Sequence, residues 1–171
     1  PLNAQLNQLA VELEYKASHD PLTGVYNRGA IIERINHALE RNQAALIVLD
    51  IDHFKQVNDT YGHPTGDAVI CDLVSRVQNV LNTTSSIGRV GGEEFTILLE
   101  GNTLMQAVSL ASRLHQDLNR MPLSVLPQQR VTASFGVSWA PQKTRFDALY
   151  GAADAALYQA KEKGRNRVEF Q

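Results

Sequence analysis

"RVGGEEFTILLE", residues 89–100, places two glycines and two adjacent glutamates directly before an apolar run. Paired glycines suit a tight hairpin turn, because they tolerate the positive φ that such turns require. Two glutamates do not suit it, since like charges repel and Asn-Gly followed by Thr would make as good a hairpin. The turn therefore reads as one that presents carboxylates to something cationic. "IGRV" before it and "FTILLE" after it read as the strands it joins.

A second acidic strand end lies upstream. "AALIVLDID" (44–52) is a continuous apolar run with β-branched members, the mark of a central strand buried on both faces, and it ends in Asp50 and Asp52. If this strand and the hairpin are neighbours, at least three carboxylates converge at one sheet edge. Such a cluster destabilises itself unless cations neutralise it. Oxygen ligands of this kind suit Mg²⁺, whose shell is usually completed by water and phosphate oxygens. Gly91 and Gly92 then gain a second purpose, which is to let the backbone and a triphosphate approach closely.

Working outward, "HDPLTGVYNRG" (19–29) carries loop chemistry, with Asn27 as a candidate N-cap. A helix follows over about 28–41, with Ile31, Ile32, Ile35 and Leu39 as its apolar stripe. "HFKQVNDTYGHPTGD" (53–67) predicts a short helix, a turn, and a helix opening at Pro64 and running to about Leu81. Further helices are expected over about 103–120 and 146–164, the latter closed by Gly164, with strands over 130–140 and 167–170. The order α, α, β, α, α, β, β, α, β, α, β predicts an α/β (α+β) fold: a central mixed, partly antiparallel sheet with helices on its faces. Ahead of it, Leu2, Leu6, Leu9 and Leu13 form an a/d seam about two heptads long, too short to be stable alone. It reads as the end of a longer coiled-coil stalk, the alternative being a helix that packs back on its own domain.

At 171 residues the chain has room for one domain and an appendage. Its 18 acids against 16 bases leave a formal charge of −2, which gives no basic field for nucleic acid or anionic lipid. A phosphate-bearing ligand therefore needs local help from a metal or a few placed cations. The single cysteine, Cys71, excludes an intrachain disulfide or a Cys-rich zinc site and fits a reducing compartment; within "AVICDLV" it reads as a buried small hydrophobe. No apolar stretch approaches membrane-spanning length, no signal peptide is visible, and a start at Pro1 suggests a fragment excised from a longer protein.

The motif "GGEEF" at 91–95 resembles the signature of the GGDEF family, the bacterial diguanylate cyclases. "DPLTGVYNR" (20–28), "LDIDHFKQVNDTYGHPTGD" (49–67), "RVGGEEF" (89–95), "ASFGVS" (133–138) and "ADAALYQAKEKGRNRV" (153–168) resemble that family's motifs in its order, so the similarity covers about residues 18–170. The resemblance implies a palm-like nucleotidyl cyclase fold, GTP as substrate, Mg²⁺ or Mn²⁺, and cyclic di-GMP plus pyrophosphate as products. It divides the chain into the end of a helical stalk over 1–17 and a catalytic domain over 18–171. It also implies a homodimer under the control of an upstream sensory domain. The catalytic part is then cytoplasmic, in a full-length protein that is either soluble or membrane-anchored, without nucleic acid and without membrane contact by this fragment.

Carried over residue by residue, the resemblance makes Asp50, the Ile51 carbonyl and Glu93 the metal ligands. Glu93 is also the candidate general base, a role less secure than metal binding because a metal-held carboxylate is a weak base. Glu94 supports the metal shell, and Asp52 reads as structural. Asn58, His63 and Asp67 match substrate-binding positions: a carboxylate can accept from guanine N1–H and its amino group, whereas adenine offers no such donor pair. His63 has the alternative of steadying the turn before Pro64. Leu22 and Phe54 are expected to line the base pocket, and Lys161 and Arg165 to contact phosphate. Where many members carry Arg-x-x-Asp five residues before the turn motif, this chain has Asn82 to Ser85, "NTTS", without either charge. Two other classes remain as alternatives: a regulatory module that binds nucleotide without turnover, and a polymerase palm, which the acidic charge disfavours.

Overall fold

The computed structural model describes residues 1–171. The elements follow the expected order: α1 Leu2–Ser18, α2 Arg28–Arg41, β1 Ala44–Ile51, α3 Phe54–Tyr61, α4 His63–Val80, β2 Ser85–Arg89, β3 Glu94–Glu100, α5 Leu104–Arg120, β4 Ala133–Ala140, α6 Phe146–Glu162 and β5 Val168–Phe170. The strands make one sheet in the order β2-β3-β1-β4-β5, antiparallel throughout except for the parallel pair β4 and β5.

β1 lies in the middle of this sheet and is apolar along its length because both of its faces are covered. Ala45, Ile47, Leu49 and Ile51 face α4 and α5, packing with Leu73, Val77, Leu114 and Leu118. Ala44, Leu46 and Val48 face α2 and α6, packing with Ile31, Ile35, Leu149 and Leu157. Two of the helices, α2 and α5, start at side-chain caps. Asn27 accepts from the Ala30 amide at the head of α2, and Thr103 with Gln106 closes a reciprocal capping box on α5. β4 begins three residues later than the sequence pattern suggests, although the Thr132 carbonyl still accepts from the Asp52 amide (2.9 Å) in the β1–β4 register. Cys71 is half-buried rather than buried, its thiol 3.6 Å from the Leu22 carbonyl.

α1 buries none of its residues. Leu2, Leu6, Leu9 and Leu13 remain 51–69% exposed, so the helix does not pack back on its own domain. It is attached at its end only: Asn27 donates from its side chain to the Ala17 carbonyl (2.9 Å), and the Tyr15 and His19 rings stack with centroids 3.9 Å apart.

α6 reaches the sheet through Gly136. A Cβ there would lie 2.1 Å from the Ala153 carbonyl oxygen and 2.3 Å from the Leu157 amide nitrogen, both backbone atoms that cannot rotate away. Gly136→Ala should therefore push α6 off β4 and destabilise the domain by about 3 kcal/mol, read as a lower urea midpoint at unchanged slope. An unchanged midpoint would show that the helix shifts freely.

Candidate active site

The register of β1 against β3 puts Asp50 opposite Glu94, and the Ile51 amide donates to the Glu93 carbonyl at 3.2 Å. The two strands are neighbours, the condition the sequence reading set, so the end of β1 and the acidic turn share one edge. Asp52, one residue on, is buried. Its carboxylate accepts from the Thr132 hydroxyl (2.7 Å), the Ser134 hydroxyl (2.6 Å) and the Asn166 amide (3.0 Å), which makes it the structural acid the sequence suggests. Asp50 is met by Lys161, whose ammonium stands 2.7 Å from Oδ2.

The turn differs from expectation in one respect. Neither Gly91 nor Gly92 has a positive φ, so left-handed backbone is not what glycine supplies here. Residues 90–93 form a wider connection, closed by the Val90 and Gly91 amides donating to the Glu94 carbonyl (2.9 and 3.2 Å). A Cβ on Gly91 would press on Glu94 Cβ at 3.3 Å, whereas one on Gly92 would meet nothing within 4 Å. Arg89 grips the turn by donating to the Gly92 carbonyl from Nε (3.1 Å) and Nη2 (2.7 Å), while its Nη1 reaches Asp20 at 3.3 Å. Burial alone would raise the Asp20 carboxyl; the Thr23 hydroxyl and amide and the Arg89 guanidinium together hold it below its ordinary value. Asp20 and Arg89 lie 69 residues apart, and no local pattern announces their pairing.

Glu94 is half-buried between β3 and α6. Burial first, then the charges of Asp50 and Asp154, push its carboxyl up, while the Tyr150 hydroxyl donates to Oε1 at 3.3 Å. The Tyr150 phenol is itself pushed to about 12, by burial and then by the Glu94 charge, so it remains a donor throughout the working range of pH. Sequence reading missed Tyr150 and Asp154, whose relation to Glu94 depends on how α6 crosses the sheet.

Beside these acids, Ile51, His53, Phe54, Lys55, Glu93 and Arg165 help to line a cleft of about 200 Å³. The first turn of α3 opens here: His53 caps it in left-handed geometry (φ 54°) without a side-chain cap bond, leaving first-turn amides for an anion. Further along α3, Asn58 has its buried Oδ1 without a hydrogen-bond partner. Gly66 of α4 packs against that oxygen so closely that a Cβ would overlap it at 1.8 Å. His63 and Asp67 are exposed on the first turns of α4, Phe54 is buried beneath Gly66, and Leu22 packs on the core beside α4. The base-side candidates thus gather at the α3–α4 corner, and the candidates for metal and phosphate at the strand end.

A hard divalent cation suits the donors at the strand end, which are carboxylate and carbonyl oxygens with an excess of negative charge partly neutralised by Lys161. No group of three acids or histidines is preassembled as a cage, so phosphate and water would complete the coordination. A more enclosed cavity of about 220 Å³ between α4 and α5 is lined mainly by apolar side chains such as Leu73, Val77 and Leu118 and holds none of this chemistry.

Together these features define a mixed-sheet domain with a cleft lined by acids and cations at the end of its central strand. The chain belongs to the GGDEF family, matching "Diguanylate cyclase, GGDEF domain" over residues 17–167. It is 37% identical over 163 residues to the probable diguanylate cyclase DgcC of Escherichia coli K12, covering 92% of this chain and 44% of that protein. The chain thus spans under half the length of that relative. The coiled coil and GGDEF domain of DgcB from Caulobacter crescentus, solved in complex with c-di-GMP, superposes with a TM-score of 0.88 at 30% identity, over 99% of this chain and 95% of that one. The active GGEEF domain of a diguanylate cyclase from Vibrio cholerae superposes with a TM-score of 0.78 at 34% identity, over 84% of this chain and 96% of that one.

The raised Glu94 carboxyl has a consequence for stability. A raised folded-state value means that the folded protein holds this proton more tightly than the unfolded chain. The penalty for ionising Glu94 is then present above the folded value and fades as pH falls through it. Glu94→Gln should accordingly raise the melting temperature at about pH 8 in metal-free buffer and lose that advantage near pH 4. A gain that persists unchanged at the acidic end would place its origin elsewhere.

Proposed function

We propose that the domain condenses two GTP into cyclic di-GMP and two pyrophosphates, acting as a homodimer under an upstream sensory domain. The observation that carries this reading is the bond from the Ile51 amide to the Glu93 carbonyl, which fixes β1 and the turn side by side in one cleft with Lys161 and Arg165. The name of the Vibrio cholerae relative, an active GGEEF domain, supports turnover with this form of the motif.

Asn58 and Asp67 take the guanine. The Oδ1 of Asn58 gains a partner it otherwise lacks, and Asp67 accepts from the adjacent N1–H and amino group. His63, Leu22 and Phe54 complete the base side. The α3 amides, Lys161 and Arg165 hold the triphosphate, with Lys161 leaving Asp50 as phosphate and cation enter. Asp50, the Ile51 carbonyl and Glu93 hold the Mg²⁺ or Mn²⁺, with Glu94 supporting the shell. When bound, that cation neutralises phosphate charge and favours ionisation of a nearby hydroxyl. Glu93 is the candidate acceptor of the 3′-hydroxyl proton.

The product has two equivalent 3′,5′ linkages, and one cleft supplies half of it. Two domains must face each other so that each 3′-oxygen attacks the other nucleotide's α-phosphorus as the bond to pyrophosphate breaks in line. Residues 1–17, with their leucine seam exposed, suit a stalk that brings two copies together below a sensor, and residues 18–171 form the catalytic domain. A GTP-consuming domain of this kind works in the cytoplasm.

The test is incubation with GTP and Mg²⁺ followed by chromatography of the nucleotides. Cyclic di-GMP should form, and Glu93→Gln or Asp50→Asn should lower its rate at least about a hundredfold with circular dichroism unchanged. Full activity in either folded variant would remove the metal assignment.

Product inhibition offers a second test. In the stretch Asn82 to Ser85, the Asn82 Oδ1 already accepts from the Thr84 amide (3.0 Å), the Thr84 hydroxyl (2.8 Å) and the Ser85 hydroxyl (2.9 Å). With neither guanidinium nor carboxylate, and with its amide oxygen engaged, this stretch should hold product at least about a hundredfold more weakly than a charged Arg-x-x-Asp pair. Calorimetry with cyclic di-GMP should show no tight binding outside the GTP cleft. Submicromolar binding that survives saturation with a GTP analogue would contradict this.

A further inference from the structure

Of the cations that line the cleft, Lys161 is paired with Asp50, whereas Lys55 and Arg165 have no such partner, and Arg165 is the guanidinium among them. It is exposed, and its guanidinium makes no hydrogen bond or ion pair within the protein, unlike those of Arg76, Arg89 and Arg167. Its backbone is left-handed (φ 64°), and so is that of the next residue, Asn166 (φ 49°). Two successive left-handed residues carrying Cβ atoms are disfavoured and persist only where the surroundings hold them. Here the Arg165 amide donates to the Ala160 carbonyl (2.9 Å), which ties that residue to the end of α6, and the larger set of contacts falls on Asn166. Its amide donates to Asp52 Oδ2 (3.0 Å), and its side-chain amide pairs reciprocally with that of Asn119 (2.9 and 3.1 Å). Its carbonyl lies 2.8 Å from His115 Nε2, and since a carbonyl only accepts, that nitrogen carries the proton. His115 and Asn119 are one turn apart on α5, and the His115 ring meets Phe135 edge-on at 6.3 Å, which fixes it from the core.

We propose that His115 and Asn119 are positioning residues for the triphosphate end of the cleft. They hold Asn166, and through it the left-handed backbone of Arg165, so that the guanidinium is presented in place before the nucleotide arrives. This rests on the reading of Arg165 as a phosphate contact. Neither α5 residue faces the ligand. Their contribution is to remove the ordering that a long side chain on a free loop would otherwise undergo on binding.

The test is a set of binding titrations without turnover, using a GTP analogue with a non-cleavable α–β bridge alongside guanosine. Asn119→Ala and His115→Phe should each weaken the analogue about fivefold, the loss expected when one long side chain must be ordered on binding, and leave guanosine within about twofold. In an Arg165→Met background the same changes should have no further effect on the analogue, a coupling that a general loss of structure would not produce. Asn119→Ser, milder at this half-exposed position, serves as the second variant if His115→Phe lowers the melting temperature. Equal weakening of guanosine and analogue, or equal weakening in both backgrounds, would overturn the proposal. If Arg165→Met itself leaves the analogue unaffected, the reading of Arg165 as a phosphate contact fails and the proposal with it. If Arg165→Met weakens the analogue while the α5 variants do not, only the proposal fails.

Discussion

The pairing of β1 with β3, in the register that sets Asp50 opposite Glu94, is the constraint from which the rest of the cleft follows. Side chains alternate along a strand, so a slip of one residue would send Asp50 into the α4–α5 face and Ile51 to the α6 face. Both faces of β1 are packed, and neither tolerates that exchange. The hydrophobic core thus determines where the carboxylates end, as well as holding the domain together. β4 reinforces the same register from the other side, placing Ser134 opposite Asp50 and within reach of Asp52.

Charge is the second constraint. Asp50, Glu94 and Asp154 lie close enough to raise the Glu94 carboxyl, and Lys161 is the cation that offsets them within the chain. Tyr150 adds a neutral donor that does not ionise at working pH. This balance leaves the strand end acidic and partly compensated within the chain. Asp52 shows the contrasting solution two residues along. It is buried and accepts from two hydroxyls and an amide, so it holds the loop after α6.

Much of this was legible in the sequence, for reasons that can be named. The bounds of α2 follow from the Asn27 cap and from apolar residues at helical spacing, and both faces of β1 can be read from an unbroken apolar run. The convergence of Asp50 with the glutamate turn follows once two acidic strand ends are allowed to be neighbours. What could not be read joins residues far apart in the chain. Asp20 meets Arg89 across 69 positions, Tyr150 meets Glu94 across 56, and Asn166 meets Asp52 across 114. Period and propensity are silent on such pairs, because they depend on helix crossings rather than on local pattern. The glycine turn was misread for the opposite reason: a local rule about positive φ was applied where a wider connection makes it unnecessary.

Some glycines are needed by the packing around them, and others are not. Gly136 admits α6, Gly88 admits Ile31, whose Cβ would otherwise lie 2.4 Å away, and Gly66 admits the Asn58 amide. Each is explained by an atom of the chain itself. Gly92 has no such neighbour and no unusual dihedral, and open space alone is uninformative, since Gly151 on the outside of α6 has it too. The difference is that Gly92 is clamped. Arg89 donates twice to its carbonyl and is anchored in turn on Asp20, so the residue has a fixed backbone and a bare α-carbon beside the carboxylate of Glu93. A flexible surface glycine requires no clamp, and a structural glycine requires a neighbour. Gly92 is rigid and unobstructed, so the clamp from Arg89 and Asp20 leaves the backbone next to Glu93 both fixed and open.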